Sequence, residues 1–191
     1  MRLDELSMEQ DPQEKSYTIF CDLDGVLADF KSEMSNKVFK DTKDELGGDG
    51  EYSDVRFASD PKFRSHMWKA VSLYQKKHGP VVWRDLELLP DAHELWNFLK
   101  KHNAQILTAT GDDKYQAAQQ KREWVTKHFG SAVRISVVKA APLKMQFAKP
   151  NHILIDDQLR ALDPWIAAGG IGIHHTSAAK TIAELKKLGI L

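Results

Sequence analysis

Two aspartates one residue apart, Asp22 and Asp24, close an apolar run in FCDLDGVLADF (residues 20–30), and a second acidic pair, Asp156 and Asp157, closes the run HILIDD. A carboxylate at the edge of a core is costly to desolvate without a cation, a hydrogen-bond cradle or water, so each pair demands compensation from elsewhere in the chain. Between the pairs, ILTAT ends in Thr108 and Thr110, and Lys121 and Lys144 follow. Carboxylates at i and i+2 can divide the labour of a group transfer, one attacking phosphorus and the other moving protons. Four carboxylates gathered at one place repel unless a divalent cation sits among them. An all-oxygen ligand set suits Mg²⁺, which keeps waters and accepts a phosphate oxygen as a further ligand. Lys144, Lys121 and the Thr108 hydroxyl would neutralise and orient the phosphate.

Singly, each feature is ordinary. Asp24-Gly25 is a turn signal, an Asp pair before a helix is an N-cap, and Lys144 is flanked by Lys139 and Lys149, either of which could take its place. What separates them from background is their joint order, Asp-x-Asp, then Thr, then Lys, then Asp-Asp, each at or just beyond the end of an apolar run.

The elements that must position these residues follow from periodicity. YTIFCDL reads as the first strand, and AQILTAT, VRISVV, HILIDD and IGIHH as four more. Between them DAHELWNFLKKH, DDKYQAAQQKREWVTKHFG (opening on Asp112 and Asp113), the short PLKMQFA, QLRALDPWIAAGG and SAAKTIAELKKLG read as helical. Strands alternating with helices imply a parallel sheet with right-handed crossovers, in which ligands bind beyond the carboxyl ends of the strands. On that edge residues more than a hundred positions apart become neighbours.

Residues 30–89 break the alternation. They look helical, interrupted by GGDG at 47–50 and HGP at 78–80, with Asp60-Pro61 opening a helix whose stripe is Phe63, Met67, Val71 and Tyr74. The expected organisation is therefore a polar tail over 1–15, a core domain over 16–29 and 90–191, and a small helical cap over 30–89 inserted after the first strand. Phe30, Trp68 and Trp83 are candidates to line a substrate pocket beneath that cap.

The bulk numbers set limits. Lys and Arg total 27 and Asp and Glu total 27, so no net field draws the protein to polyanions, and a stable nucleic-acid partner is not expected. The single cysteine, Cys21, allows no intramolecular disulfide and reads as a small buried side chain in the first strand. The eight histidines lack cysteine partners and a repeating ligand interval, so they are assigned no zinc. No apolar run is long enough to span a bilayer and the charged N-terminus lacks a secretory core, so the expected setting is cytoplasmic, without a membrane partner.

DLDGVLADF, ILTAT, Lys144 and ILIDD resemble the four motifs of the haloacid dehalogenase (HAD) superfamily of aspartyl phosphotransferases. DGVLADF, LELLPDA and KREWVTKHFG are similar to segments of its 5'(3')-deoxyribonucleotidases. The resemblance implies an α/β fold, a Rossmann-like HAD core with a parallel sheet flanked by helices plus the small cap. It implies a Mg²⁺-dependent phosphatase with Asp22 as nucleophile and Asp24 as acid/base. Mg²⁺ would be held by Asp22, the Asp24 carbonyl and one or both of Asp156 and Asp157. Thr108, Lys121 and Lys144 would contact the phosphate, and Phe30 would stack on a base. Ala109 stands where those nucleotidases carry a second hydroxyl, so one phosphate donor is missing from the set.

The substrate so implied is a small phosphomonoester, most naturally a nucleoside monophosphate, with a homodimer left open. The alternatives are a phosphatase for sugar phosphates or nucleic-acid ends and, from another class, a non-catalytic Mg²⁺ and phosphate-binding module. A dehalogenase is disfavoured because a departing halide gives Asp24 no proton to move.

Overall fold

The computed structural model describes residues 16–111 and 115–191. The polar tail and the two aspartates expected to open the helix after ILTAT lie outside the described residues. Five strands, β1 (Thr18–Cys21), β2 (Gln105–Ala109), β3 (Ile135–Val138), β4 (His152–Asp156) and β5 (Ile171–His174), form one parallel sheet in the order β3-β2-β1-β4-β5. Both faces of the sheet are covered, which explains why the strands read as unbroken apolar runs. Phe20, Leu107 and Leu154 bury on one face against Leu162 and Trp165, while Cys21, Ile106, Ile153 and Ile155 bury on the other. The register pairs Cys21 with Ile155 across β1 and β4 and with Ile106 across β1 and β2, so the residues that follow emerge together at one edge. That edge lies at the switch point, where the chain has wound outward through β2 and β3 and returns to the other side of β1 as β4.

The core helices are α5 (Ala92–Leu99, continued as a 3₁₀ turn over Lys100–His102), α6 (Ala117–Phe129), a 3₁₀ helix (Ala141–Phe147), α7 (Leu159–Ala167) and α8 (Ala178–Lys187). As described, α6 begins at Ala117, after Gln116 in a left-handed conformation (φ 57°), later than the acidic start expected from the sequence.

Between β1 and β2 the chain forms α1 (Phe30–Glu33), a π-helical segment (Met34–Phe39), α2 (Lys40–Leu46), α3 (Asp54–Ser59) and α4 (Pro61–His78). The boundaries are chemical. Asp29, Ser53 and Asp60 accept backbone N–H groups at the starts of α1, α3 and α4, Pro61 fills the first position of α4, and Gly47 and Gly79 end α2 and α4 at positive φ. The α4 stripe buries Phe63, Met67, Ala70 and Val71, while Tyr74 is only half-buried. The two chain passages joining these helices to the sheet pair with each other: Asp29 N donates to Glu87 O and Leu89 N to Leu27 O, both at 2.9 Å. No helix among the described residues is long and apolar enough to cross a membrane.

Candidate active site

Asp22 extends the β1–β4 ladder by one rung, its N–H donating to Ile155 O at 2.9 Å, and its carboxylate is buried. Beside it, Lys144 Nζ lies 2.8 Å from Asp22 Oδ1 and 2.6 Å from Asp156 Oδ2, with 1% of the lysine side chain exposed. Burial alone would lower the Lys144 pKa, but the Asp22 and Asp156 carboxylates override it and hold the ammonium well above the ordinary lysine range. The 3₁₀ helix before β4 is what delivers Lys144 inward, whereas Lys139 and Lys149 are exposed. Of the three lysines, Lys144 is the one whose ammonium meets Asp22 and Asp156. Asp156 Oδ1 accepts the Gln158 N–H at 2.9 Å, and His174, whose ring Nε2 is 3.0 Å from Asp157 O, braces the acidic tip from β5.

Asp22, Asp156 and Asp157 each offer an oxygen within 4.8 Å of the others. Asp157 Oδ1 is buried with no hydrogen-bond partner, and burial together with Asp22 and Asp156 pushes the Asp157 carboxyl up to about 8. A cluster of three hard oxygen donors that the single Lys144 ammonium neutralises only in part fits a divalent cation. Gly25 makes room for the Asp157 carboxylate. A Cβ there would stand 2.3 Å from Asp157 Oδ2, and its φ of +80° suits only glycine.

Asp24 follows on the turn closed by Gly25 N to Ala28 O at 2.9 Å. Its partner comes from α6: Lys121 Nζ donates to Asp24 Oδ2 at 2.7 Å, to Thr108 Oγ1 at 2.9 Å and to Ala109 O at 2.7 Å. Those three acceptors use all three ammonium hydrogens, so Lys121 sits on the core's own oxygens. Because Thr108 Oγ1 accepts from Lys121, its own hydrogen remains available to donate outward. Ala109 contributes its carbonyl, which explains how a residue without a side-chain hydroxyl still belongs to this edge. Burial raises the Asp24 pKa against the pull of Lys121, and Asp24 Oδ1 is left without a hydrogen-bond partner.

Asp24 also opens on a cavity of about 230 Å³ between the helices inserted after β1 and the sheet edge, lined among others by Phe30, Trp68 and Trp83. Phe30 and Trp83 stack at 13° with centroids 6.2 Å apart, and Tyr52 meets Phe30 edge-on at 5.3 Å. Trp83 is 3% exposed, so much of its surface is packing, while Phe30 and Trp68 are half-buried. Trp68 lies parallel to Tyr115, at 5.4 Å and 8°, in the loop that follows β2.

The sequence reading missed several residues here. Tyr52, Phe57, Arg64 and Arg160 line the same cavity. Arg64 could have been found, because it stands four residues before Trp68 on one face of α4; nothing in the spacing marks Arg160 or Tyr52. Gln120 was also missed. Buried on α6, it accepts from Trp83 N at 2.9 Å and donates to Tyr115 O at 2.8 Å, tying the returning cap passage to the loop beyond Thr108. Trp124 adds a 2.7 Å bond from its indole to Leu86 O.

Residues 16–180 match the family of 5' nucleotidase, deoxy (Pyrimidine), cytosolic type C proteins. Among solved structures, a haloacid dehalogenase-like family hydrolase from Streptococcus pneumoniae is similar at 20% identity and a TM-score of 0.56, covering 88% of this chain and 90% of that one. A HAD family hydrolase from Deinococcus radiodurans, described with bound phosphate and sodium, is similar at 14% identity and a TM-score of 0.59, covering 93% and 99%. A hydrolase from Pseudomonas syringae is similar at 18% identity and a TM-score of 0.51, covering 92% and 91%. No curated protein matches the chain by sequence.

Proposed function

The chain belongs to the family of 5' nucleotidase, deoxy (Pyrimidine), cytosolic type C proteins and is a phosphatase with the HAD fold, and on that premise we propose that it hydrolyses nucleoside monophosphates through a phosphorylated Asp22. The observation that carries this reading is that Asp22 and Asp24 meet different buried cations, Lys144, which Asp22 shares with Asp156, and Lys121. Two carboxylates two residues apart are thereby placed in different environments and can hold different protonation states.

Asp22 attacks the phosphorus of the monoester, forming an acyl phosphate as the ester P–O bond breaks. Asp24, protonated on the unpartnered Oδ1, gives its proton to the departing alkoxide. In the second half Asp24 takes a proton from water, whose oxygen attacks the phosphorus, releases phosphate and restores the Asp22 carboxylate. The Thr108 hydroxyl donates to a phosphate oxygen, Lys144 holds the Asp22 carboxylate in place, and Lys121 fixes Asp24 against Thr108 and Ala109. Mg²⁺, when bound by Asp22, Asp156 and Asp157 with the Asp24 carbonyl, would supply neutralising charge at the phosphate.

Phe30 is the ring we assign to stacking on a nucleobase, with Trp68 and Trp83 forming the surrounding wall; a flat apolar slot beside the proton donor supports a nucleoside over a sugar as the leaving group. The cytosolic wording of the family description supports a cytoplasmic setting. The test is phosphate release from a panel of nucleotides, sugar phosphates and phosphorylated oligonucleotides, with and without Mg²⁺. Nucleoside monophosphates are expected to lead, and Asp22→Asn to be inactive on all of them. Wild-type-like turnover by Asp22→Asn would reject the reading.

A further inference from the structure

The cavity beside Asp24 holds two guanidinium groups that the scheme above does not use. Arg64 reaches in from cap helix α4 and Arg160 from core helix α7. Arg64 Nη1 donates to Phe57 O at 2.8 Å and Ala58 O at 2.9 Å, the Arg160 guanidinium lies over the Phe57 ring at 4.9 Å, and Arg160 Nε donates to Gln158 Oε1. Phe57 therefore anchors both arginines from opposite sides of the cap–core seam. Every partner is neutral: carbonyls, a ring and an amide. Among the described residues neither arginine makes an ion pair. Asp54, hydrogen-bonded to the Tyr52 that lines this cavity, also lines the adjoining groove with Lys31 and Lys40 and pairs with neither arginine among the described residues.

Two positive charges oriented by neutral groups and facing a cavity are arranged for an anion that comes from outside. The transferred phosphate is not that anion. Its site lies at the edge where Asp22, Thr108, Asp156 and Asp157 meet, and the hydrogen bonds of both arginines go elsewhere, to Phe57, Ala58 and Gln158.

Resting on the phosphatase reading above, we propose that the alcohol leaving this site carries a second phosphate held by Arg64 and Arg160, so that the preferred substrates are bisphosphates hydrolysed at one end. The guanidinium forks select the distal phosphate, and the aromatic wall selects what connects the two.

The experiment compares kcat/KM, with Mg²⁺ present, for a nucleoside 5'-monophosphate, the corresponding 3',5'-bisphosphate, a hexose monophosphate and a hexose bisphosphate. At least one bisphosphate is expected to exceed its own monophosphate by about tenfold or more, chiefly through KM, and the pair that shows the larger ratio identifies the connecting group. In Arg160→Gln and in Arg64→Gln that ratio falls toward one. Arg64 also holds two cap carbonyls, so Arg160→Gln, which breaks no backbone contact, keeps the test decisive if Arg64→Gln unfolds. Tryptophan quenching of Asp22→Asn by the same compounds should rank the bisphosphate tighter and lose that ranking when Arg160→Gln is added. Monophosphates hydrolysed as well as both bisphosphates, or a ratio unchanged in Arg160→Gln, overturns the proposal alone. Absence of hydrolysis and of binding for every compound overturns the phosphatase reading and the proposal with it.

Discussion

Lys121 Nζ stands 2.7 Å from Asp24 Oδ2 across 97 positions of sequence, and the same nitrogen closes on Thr108 and Ala109. One buried ammonium therefore ties the Asp24 carboxylate to the end of β2. Lys121→Met would leave Asp24 buried without its cation. The expected cost is about 3 kcal/mol of stability, read from denaturant unfolding. The expected loss in kcat is about a hundredfold or more, because Asp24 is no longer aimed. A variant as stable and as active as wild type would show that the contact positions nothing.

Gly25 gives a test of the acidic cluster. An added Cβ in Gly25→Ala meets Asp157 Oδ2 at 2.3 Å on a backbone already at positive φ, so Asp157 must move. The Mg²⁺ concentration for half-maximal phosphate release should rise by about tenfold or more, as is typical when the surroundings of a metal ligand are disturbed. An unchanged Mg²⁺ dependence would separate Asp157 from the cation.

Gln120 links the cap's return passage to the loop beyond β2 through Trp83 N and Tyr115 O. Gln120→Leu leaves the buried Trp83 N–H without an acceptor, a cost of about 1–3 kcal/mol. Because Trp83 stacks on Phe30, KM for nucleotides should rise more than kcat falls, and intrinsic tryptophan fluorescence should change. A Tm and KM equal to wild type would count against this link.

His175 is buried, with its ring Nδ1 2.9 Å from Thr181 Oγ1, and burial lowers its pKa below 6.5. The unfolded chain then binds more protons than the native one below about pH 6.5, so this group's contribution is intact above that pH and is lost as pH falls toward the native value. Urea midpoints at about pH 7.5 and 5.5 should differ by less in His175→Gln than in wild type. Equal differences in the two proteins would remove His175 from the acid sensitivity.

Much of this was legible in the sequence because it depended on local pattern. Unbroken apolar runs ending in Asp22, Thr108 and Asp156 imply parallel strands, and parallel strands imply a shared edge. Asp60-Pro61 and Gly79 delimit α4 by capping chemistry alone. The remainder depended on how separate elements meet. That Lys121 spends its hydrogens on three core acceptors follows from how α6 lies on β1 and β2, which no spacing encodes. Choosing Lys144 over Lys139 and Lys149 required the 3₁₀ turn that points one of them inward. Arg64 and Arg160 share Phe57 only after cap and core close on each other.

Phosphorylation of Asp22 is the central claim, and acid-quenched peptide mass spectrometry tests it most directly. With a nucleoside monophosphate and Mg²⁺, a phosphoryl group is expected on the peptide carrying Asp22, and it should be absent after chelation and absent in Asp22→Asn. A phosphoryl group on another residue, or continued phosphate release by Asp22→Asn, would contradict the account.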